Sequence, residues 1–305
     1  MKLAIFGRTY ILLRTVKALA EAGHSIALLG TATPSDTDGA TEADFERCAQ
    51  EVGATYFRGK LKTALSGAGG QLPELAVSMN WPSILGSEEI GLFRHGILNA
   101  HAGDLPRYRG NACPNWAILN GESKIGLCVH KMTPGAVDAG PILLKRYFDL
   151  DSTHDIGDVY RWLESAIPQM FVEAVAAVGR GNAVLQEQTA DPSLSLRCFP
   201  RRPEDGAIDW TADSDAVLRL IRASSRPFHG AFTTLEGNQL VRIWRAEPYT
   251  MGFPFCAVPG QLLRVDPAGM VVACGSGSVL LKEATFSDGT NAIPAITSSL
   301  RNRLK

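Results

Sequence analysis

The chain has 305 residues, 45% hydrophobic and 20% charged, and its 30 Lys+Arg against 31 Asp+Glu leave a formal charge of −1. Such a composition excludes a disordered or fibrous chain and argues against a broad basic surface for nucleic acid. No apolar stretch approaches the roughly 20 residues that a membrane-spanning helix needs. At about 150 residues per domain, the length predicts two domains, each able to bury a core. The only apolar run at the N-terminus is Leu3–Phe6, and Arg8 and Arg14 break up the residues after it, so it reads as a first strand and helix rather than an export signal. Six cysteines without a C-x-x-C pair then predict reduced thiols in a cytoplasmic protein.

Lys2–Phe6, Ile11–Ala22 and Ser25–Leu29 form a strand–helix–strand pattern, the opening of a parallel α/β sheet. Thr31–Thr41 reads as a surface loop, Glu42–Val52 as a helix and Ala54–Phe57 as a weak strand. Leu75–Met79 and Ile97–Ala100 are buried-strand candidates with a short helix, Ser87–Arg94, between them, and Pro114–Leu119 suits another helix. Gly126–Lys131 and Pro141–Phe148 read as strands joined by Thr133–Gly140, and His154–Val178 as a long amphipathic helix containing Pro168. Thr189–Arg202 has linker character. Asp213–Ala223 reads as a helix, and Leu240–Trp244, Gly260–Val265, Met270–Ala273 and Val279–Lys282 as short strands of a small β-barrel or sandwich. The boundary falls near residues 190–205.

The segment Leu98–Leu144 holds the most chemistry. Asn99 and His101 stand two apart at the end of a buried strand, so their side chains face the same way. The C-terminal end of a parallel strand at a switch in sheet order is where α/β proteins place ligands. Asp138 lies on a glycine-flanked loop able to fold back toward His101. An amide, an imidazole and a carboxylate at one sheet edge can stabilise an oxyanion and move a proton. Strand-end Asn and loop Asp residues also serve as plain turn formers, and spacing alone leaves both readings open.

The same segment carries Asn99-x-His101, Leu105-Pro106-x-Tyr108-Arg109-Gly110, Asn115-Trp116, Asn120-Gly121-Glu122, Gly126 and Asp138-x-Gly140. In that order these residues resemble the signature of the folate-dependent formyltransferases, most of all the domain that modifies UDP-4-amino-4-deoxy-L-arabinose, and more distantly methionyl-tRNA formyltransferase. Arg201-Arg202-Pro-Glu-Asp-Gly-x-Ile-Asp-Trp210 and Pro227-x-x-Gly230-Ala231-Phe232 extend the resemblance past the linker, so it covers nearly the whole chain. It implies an α/β fold: a Rossmann-like formyltransferase domain with a mostly parallel sheet (1–190), a linker (191–204) and a small β-rich, OB-like C-terminal domain (205–305). It implies N10-formyltetrahydrofolate as cosubstrate and a primary amine as acceptor, with no metal. Asn99, His101 and Asp138 map onto the catalytic triad. Asn99 and a His101 N–H would donate to the oxyanion, while Asp138 would favour the protonated imidazole and accept the proton shed by the amine. His101 and Asp138 are 37 positions apart, one more than expected for the arabinose relatives, and the loop Thr133–Val137 takes up the difference.

The family also places the pterin pocket beside the loop after the preceding strand, which makes Trp81, Ile84, Leu85 and Asp138 cofactor-binding candidates. Arg8, Thr9, Arg109 and Arg201 are candidates for holding a substrate phosphate, each arginine equally open to a structural ion-pair role. Asp104 reads as a loop-turn residue or a substrate contact. Thr31–Thr41 has two Asp and no basic residue, where the tRNA-binding relatives carry a basic insertion. That favours a small amine, foremost the amino group of a nucleotide-linked amino sugar, with no nucleic acid or membrane partner. Methionyl-tRNA and an amino-acid-derived amine such as hydroxyornithine are the alternatives. A formate-releasing hydrolase and a non-catalytic folate or nucleotide sensor are readings from other classes. The second domain is compatible with shaping the substrate cleft or with making a homodimer.

Overall fold

The computed structural model describes residues 1–33, 38–59, 61–67, 72–235 and 239–305. In chain order the elements begin with β1 (Lys2–Gly7), α1 (Tyr10–Glu21), β2 (Ser25–Thr31), α2 (Glu42–Val52), β3 (Thr55–Arg58) and α3 (Leu61–Gly67). Next come β4 (Leu75–Met79), α4 (Ser87–Gly91), β5 (Ile97–His101), β6 (Tyr108–Gly110), α5 (Cys113–Leu119), β7 (Lys124–Lys131) and β8 (Ile142–Asp149). The long helix α6 (Ile156–Gly179) leads to β9 (Leu196–Cys198) and α7 (Ser214–Ser224). β10 (Ala231–Leu235), β11 (Gln239–Tyr249), β12 (Leu262–Asp266), β13 (Gly269–Ala273), β14 (Ser278–Phe286) and α8 (Ile293–Ile296) complete the chain.

Residues 1–113, 125–148 and 160–199 make one compact unit, and residues 114–124, 149–159 and 200–305 a second. The first unit holds a seven-stranded sheet of order β3-β2-β1-β4-β5-β7-β8. β1 is parallel to β2 and β4, and β4 to β5, whereas β7 runs antiparallel to β5. Strand order therefore switches between β1 and β4, and strand direction reverses at β5, where Asn99 and His101 stand. β1 is covered on both faces, with Leu3, Ala4, Ile5 and Phe6 buried, which is why it reads as an unbroken apolar run. α1 lays Ile11, Leu12, Val16 and Leu19 on the sheet, the helical spacing visible in the sequence. α2 starts at a capping box between Thr41 and Asp44 and stops at left-handed Gly53. Residues 34–37 of the preceding loop lie outside the described residues.

The second unit contains a five-stranded antiparallel sheet of order β10-β11-β14-β13-β12. Val241, Ile243, Val272 and Leu281 pack with Val217 and Ile221 of α7 in its core. Trp210 joins them and satisfies its indole by donating to Thr233 Oγ1 at 2.9 Å. Among the described residues no helix is long and apolar enough to cross a membrane.

Elements that periodicity does not foresee are α3, β6, β9, β10 and α8. β6 and β9 are three residues each and pair in parallel, Tyr108 with Leu196, Arg109 with Arg197 and Gly110 with Cys198. The segment read as linker thus carries a strand of the first unit.

Gly7 closes β1 where β4 and α1 crowd it: a Cβ there would lie 2.0 Å from the Met79 carbonyl oxygen and 2.8 Å from Leu12 Cδ2. The carbonyl belongs to the sheet and cannot swing aside. Gly7→Ala is therefore expected to lower stability by about 1–3 kcal/mol through overpacking, read as a lower urea midpoint at unchanged m-value; an unchanged midpoint would show that the strand ends can part without cost.

Candidate active site

Asn99 and His101 occupy alternate positions of β5, so they share a face of the sheet. The antiparallel register opposes Asn99 to His130 and His101 to Cys128. That pairing brings in an imidazole that local spacing does not reveal. Asn99 Nδ2 lies 3.2 Å from His130 Nε2, and His130 Nδ1 lies 3.3 Å from the Lys131 carbonyl oxygen. With Nδ1–H on that carbonyl, Nε2 accepts from the Asn99 amide. One Asn99 N–H is committed in this way and the other has no further partner among the described residues.

Asp138 enters from the loop between β7 and β8, its backbone in the left-handed region (φ 53°). Its Oδ2 accepts the Gly110 N–H at 2.9 Å and lies 3.5 Å from His101 Nδ1, while Oδ1 lies 3.5 Å from His130 Nε2. One carboxylate thus faces two imidazoles. Gly110 is required for this contact: its φ is +102°, and a Cβ would stand 2.4 Å from the Cys198 carbonyl oxygen of β9. Gln188 braces the same loop from behind, donating to the carbonyl oxygens of Asp138 (2.9 Å) and Gly140 (2.7 Å).

His101 Nε2 lies 2.7 Å from the Tyr108 carbonyl oxygen, so that N–H is taken by the backbone. This differs from the expectation of a His101 N–H aimed at an oxyanion. The free nitrogen is Nδ1, and it faces Asp138. Burial lowers the His101 pKa below the usual imidazole value, outweighing the Asp138 charge, which pulls the other way. The carboxylate therefore favours imidazolium as expected, yet the buried ring stays neutral at pH 7. For Asp138, burial pushes the carboxyl up, but the imidazoles of His130 and His101 and the Gly110 N–H together hold its pKa down to about 2. Burial also pushes the Cys128 thiol up to about 11 and raises that of Cys113, so neither is a nucleophile at neutral pH.

The remaining candidates stand elsewhere in the two units. Arg8 donates to the Asn80 carbonyl oxygen at 3.2 Å and lies 3.7 Å from Asp38. Thr9 precedes α1, with its hydroxyl buried and unbonded among the described residues. Trp81 packs edge-on against Phe6, its ring centroid 5.0 Å away, and its indole nitrogen is buried without an acceptor among the described residues. Leu85 is buried, while Ile84 is 74% exposed. Arg109 donates to Gln188 Oε1 at 2.8 Å. Arg201 makes its contacts within the second unit, to the Asp205 carbonyl oxygen at 2.7 Å and over the Trp116 ring at 5.9 Å. Asp104 takes Lys145 (3.0 Å) and Tyr147 (2.9 Å), a brace for its own loop. Among the described residues no three His, Cys, Asp or Glu side chains gather as a metal site.

Two family models match the chain: "Formyl transferase" over residues 1–175 and "Formyl transferase, C-terminal domain" over residues 201–295. A methionyl-tRNA formyltransferase of Citrifermentans bemidjiense is 30% identical over 223 residues, 73% of this chain and 67% of that protein. The chain spans about two thirds of the length of the curated relatives it matches. Among solved structures, HypX from Aquifex aeolicus in complex with tetrahydrofolic acid superposes with a TM-score of 0.65 at 18% identity, over 94% of this chain and 44% of that one. The N-formyltransferase from Helicobacter canadensis, solved with folinic acid and dTDP-3-aminofucose, gives a TM-score of 0.67 at 14% identity, over 92% and 99% of the two chains.

Because its folded pKa is depressed, Asp138 contributes stability that is full above the ordinary carboxylate pKa near 4 and is lost as pH falls toward about 2. In Asp138→Asn that acid-labile contribution, on the order of 1–2 kcal/mol, is expected to vanish. Urea midpoints measured from pH 5 down to 2.5 should then fall less steeply for the variant than for the parent; parallel slopes would mean the carboxylate is not held down.

Proposed function

The chain belongs to the formyl transferase family, and from that membership we propose that it is a cytoplasmic N-formyltransferase. It would carry a formyl group from N10-formyltetrahydrofolate to a primary amine on a nucleotide-linked sugar. The observation that carries this reading is the cluster itself: an amide with a spare N–H beside a carboxylate flanked by two imidazoles. The cosubstrate supplies a formyl group on nitrogen, ready for transfer. As the amine nitrogen adds to the formyl carbon, the uncommitted Asn99 N–H donates to the oxygen that gains charge. His130 holds the Asn99 amide by its other N–H. Asp138, directly or through His101 Nδ1, accepts the proton that the amine sheds. His101 is kept from turning by the Tyr108 carbonyl, so its Nδ1 stays aimed at the carboxylate. Protonation there turns the imidazole–carboxylate contact into an ion pair that holds the proton until the bond between the formyl carbon and N10 breaks. N10 then takes that proton up, leaving tetrahydrofolate and the formylated amine.

The folate pocket is supported by the loop after β4. Trp81 offers a buried indole N–H without an acceptor among the described residues, and Ile84 presents an exposed apolar side chain. A flat heterocycle with ring nitrogens and a carbonyl would satisfy the first and cover the second. For the acceptor amine, the acidic, lysine-free segment 31–41 speaks for a small substrate. The curated relatives at 30% and 32% identity support methionyl-tRNA as the second reading.

Asn99→Ala is expected to lower kcat by ~10²–10³, the usual effect of losing one oxyanion donor, and His101→Ala by at least about tenfold, with tetrahydrofolate affinity largely kept in both. Turnover near the parent's in either variant would remove that residue from the reaction. Tetrahydrofolate release should be measured against 4- and 3-amino-sugar nucleotides, hydroxyornithine and charged initiator methionyl-tRNA. Release with an amino-sugar nucleotide alone is the expected result; release with the charged tRNA alone would replace the proposed acceptor.

A further inference from the structure

β6 and β9 set Arg109 and Arg197 opposite each other in a parallel ladder, where opposed residues project from the same face. Like charges facing across a ladder repel, and neither of these has a carboxylate partner among the described residues. Arg109 uses one terminal nitrogen on the neutral amide of Gln188, and its Nε is buried with no hydrogen bond among the described residues. Arg197 lies over Gly110: a Cβ on that glycine would stand 3.2 Å from Arg197 Nε and 3.4 Å from its Cδ. Other arginines of the same unit are neutralised, Arg14 by Glu164, Arg58 by Glu42 and Arg146 by Glu173. The nearby carboxylate, Asp138, is already shared between His101, His130 and the Gly110 N–H.

The pair is also well placed. Tyr108 supplies the carbonyl that fixes His101, and Gly110 the N–H that fixes Asp138. Arg109 stands between them in sequence, and Arg197 is its neighbour across the ladder. A planar guanidinium binds phosphate oxygens in a fork, and two side by side suit a diphosphate better than one suits a carboxylate. We propose that Arg109 and Arg197 form an anion site that binds a phosphate of the amine-bearing substrate and so sets its amine against the Asn99–Asp138 cluster. The proposal rests on the N-formyltransferase reading for the identity of the substrate, but the anion site is testable without turnover.

The two arginines differ in what else they hold. Arg197 makes no other polar contact among the described residues, so its loss should weaken binding alone. Arg109 also holds Gln188, which braces the Asp138 loop, so its loss should affect both binding and the chemical step.

The test uses the full chain and titration calorimetry at low salt with inorganic pyrophosphate and, separately, UDP. Arg197→Gln is expected to weaken both by about tenfold, Arg197→Lys by less, and tetrahydrofolate affinity should stay within about twofold. Added salt should weaken pyrophosphate binding in the parent and much less in Arg197→Gln. With the accepted amine, Arg197→Gln should raise KM at nearly constant kcat, whereas Arg109→Gln should raise KM and lower kcat. Arg197 is exposed, and an unchanged urea midpoint will show that its variants are folded. Pyrophosphate and UDP binding as in the parent would overturn the proposal. So would loss of tetrahydrofolate affinity in place of pyrophosphate affinity, which would assign the pair to folate carboxylates. Binding of charged tRNA through these arginines, with no binding of pyrophosphate, would overturn it as well. If pyrophosphate binds through the pair but no amine is formylated, the anion site stands and the proposed reaction falls. If an amino-sugar nucleotide is formylated with the same KM in Arg197→Gln, the reaction stands and the site falls.

Discussion

A buried carboxylate must be compensated, and the Asp138 side chain is held on three sides: it accepts the backbone N–H of Gly110 and stands against the imidazoles of His101 and His130. Few arrangements can do this in so small a volume. The left-handed backbone of Asp138, the glycine at position 110 and the contact of β9 with that glycine are all needed to let the carboxylate reach the sheet edge. The site is therefore not a set of side chains placed on a finished scaffold. Its central charge is part of what the loop, the ribbon and the sheet edge have to satisfy.

The reversal of strand direction at β5 answers the same demand. A parallel neighbour would have to arrive by a crossover and would offer β5 a different register. Antiparallel β7 instead opposes His130 to Asn99, and the loop after it carries Asp138 onto His101 and His130. Two side chains from β5, one from β7 and one from that loop then meet. The strand-order switch, between β1 and β4, is a separate place, occupied by Arg8, Thr9 and Trp81.

Much of the fold is legible in the sequence because it rests on periodicity. β1, β2 and β4 are continuous apolar runs, and α1, α2 and α7 show helical spacing with recognisable caps or stops. β6 and β9 are not legible, since three residues are too few to show a period and their partner is 88 positions away. His130 is hidden for a related reason: within its strand it is one more buried residue, and only the register with Asn99 gives it a role. The His101 ring illustrates a third limit. The formyltransferase resemblance pairs it with Asp138, but whether burial or charge decides the proton depends on how completely the ring is covered.

The β6–β9 ribbon has a bearing on how the molecule comes into being. Chain synthesis delivers the seven strands of the large sheet well before Cys198, the residue that packs on Gly110. Until that point has left the ribosome, the nascent chain can assemble its sheet and yet leave the 108–110 segment without its partner strand. The sheet and the candidate site are thus completed at different points of the chain, the second waiting on three residues beyond the last long helix of the unit.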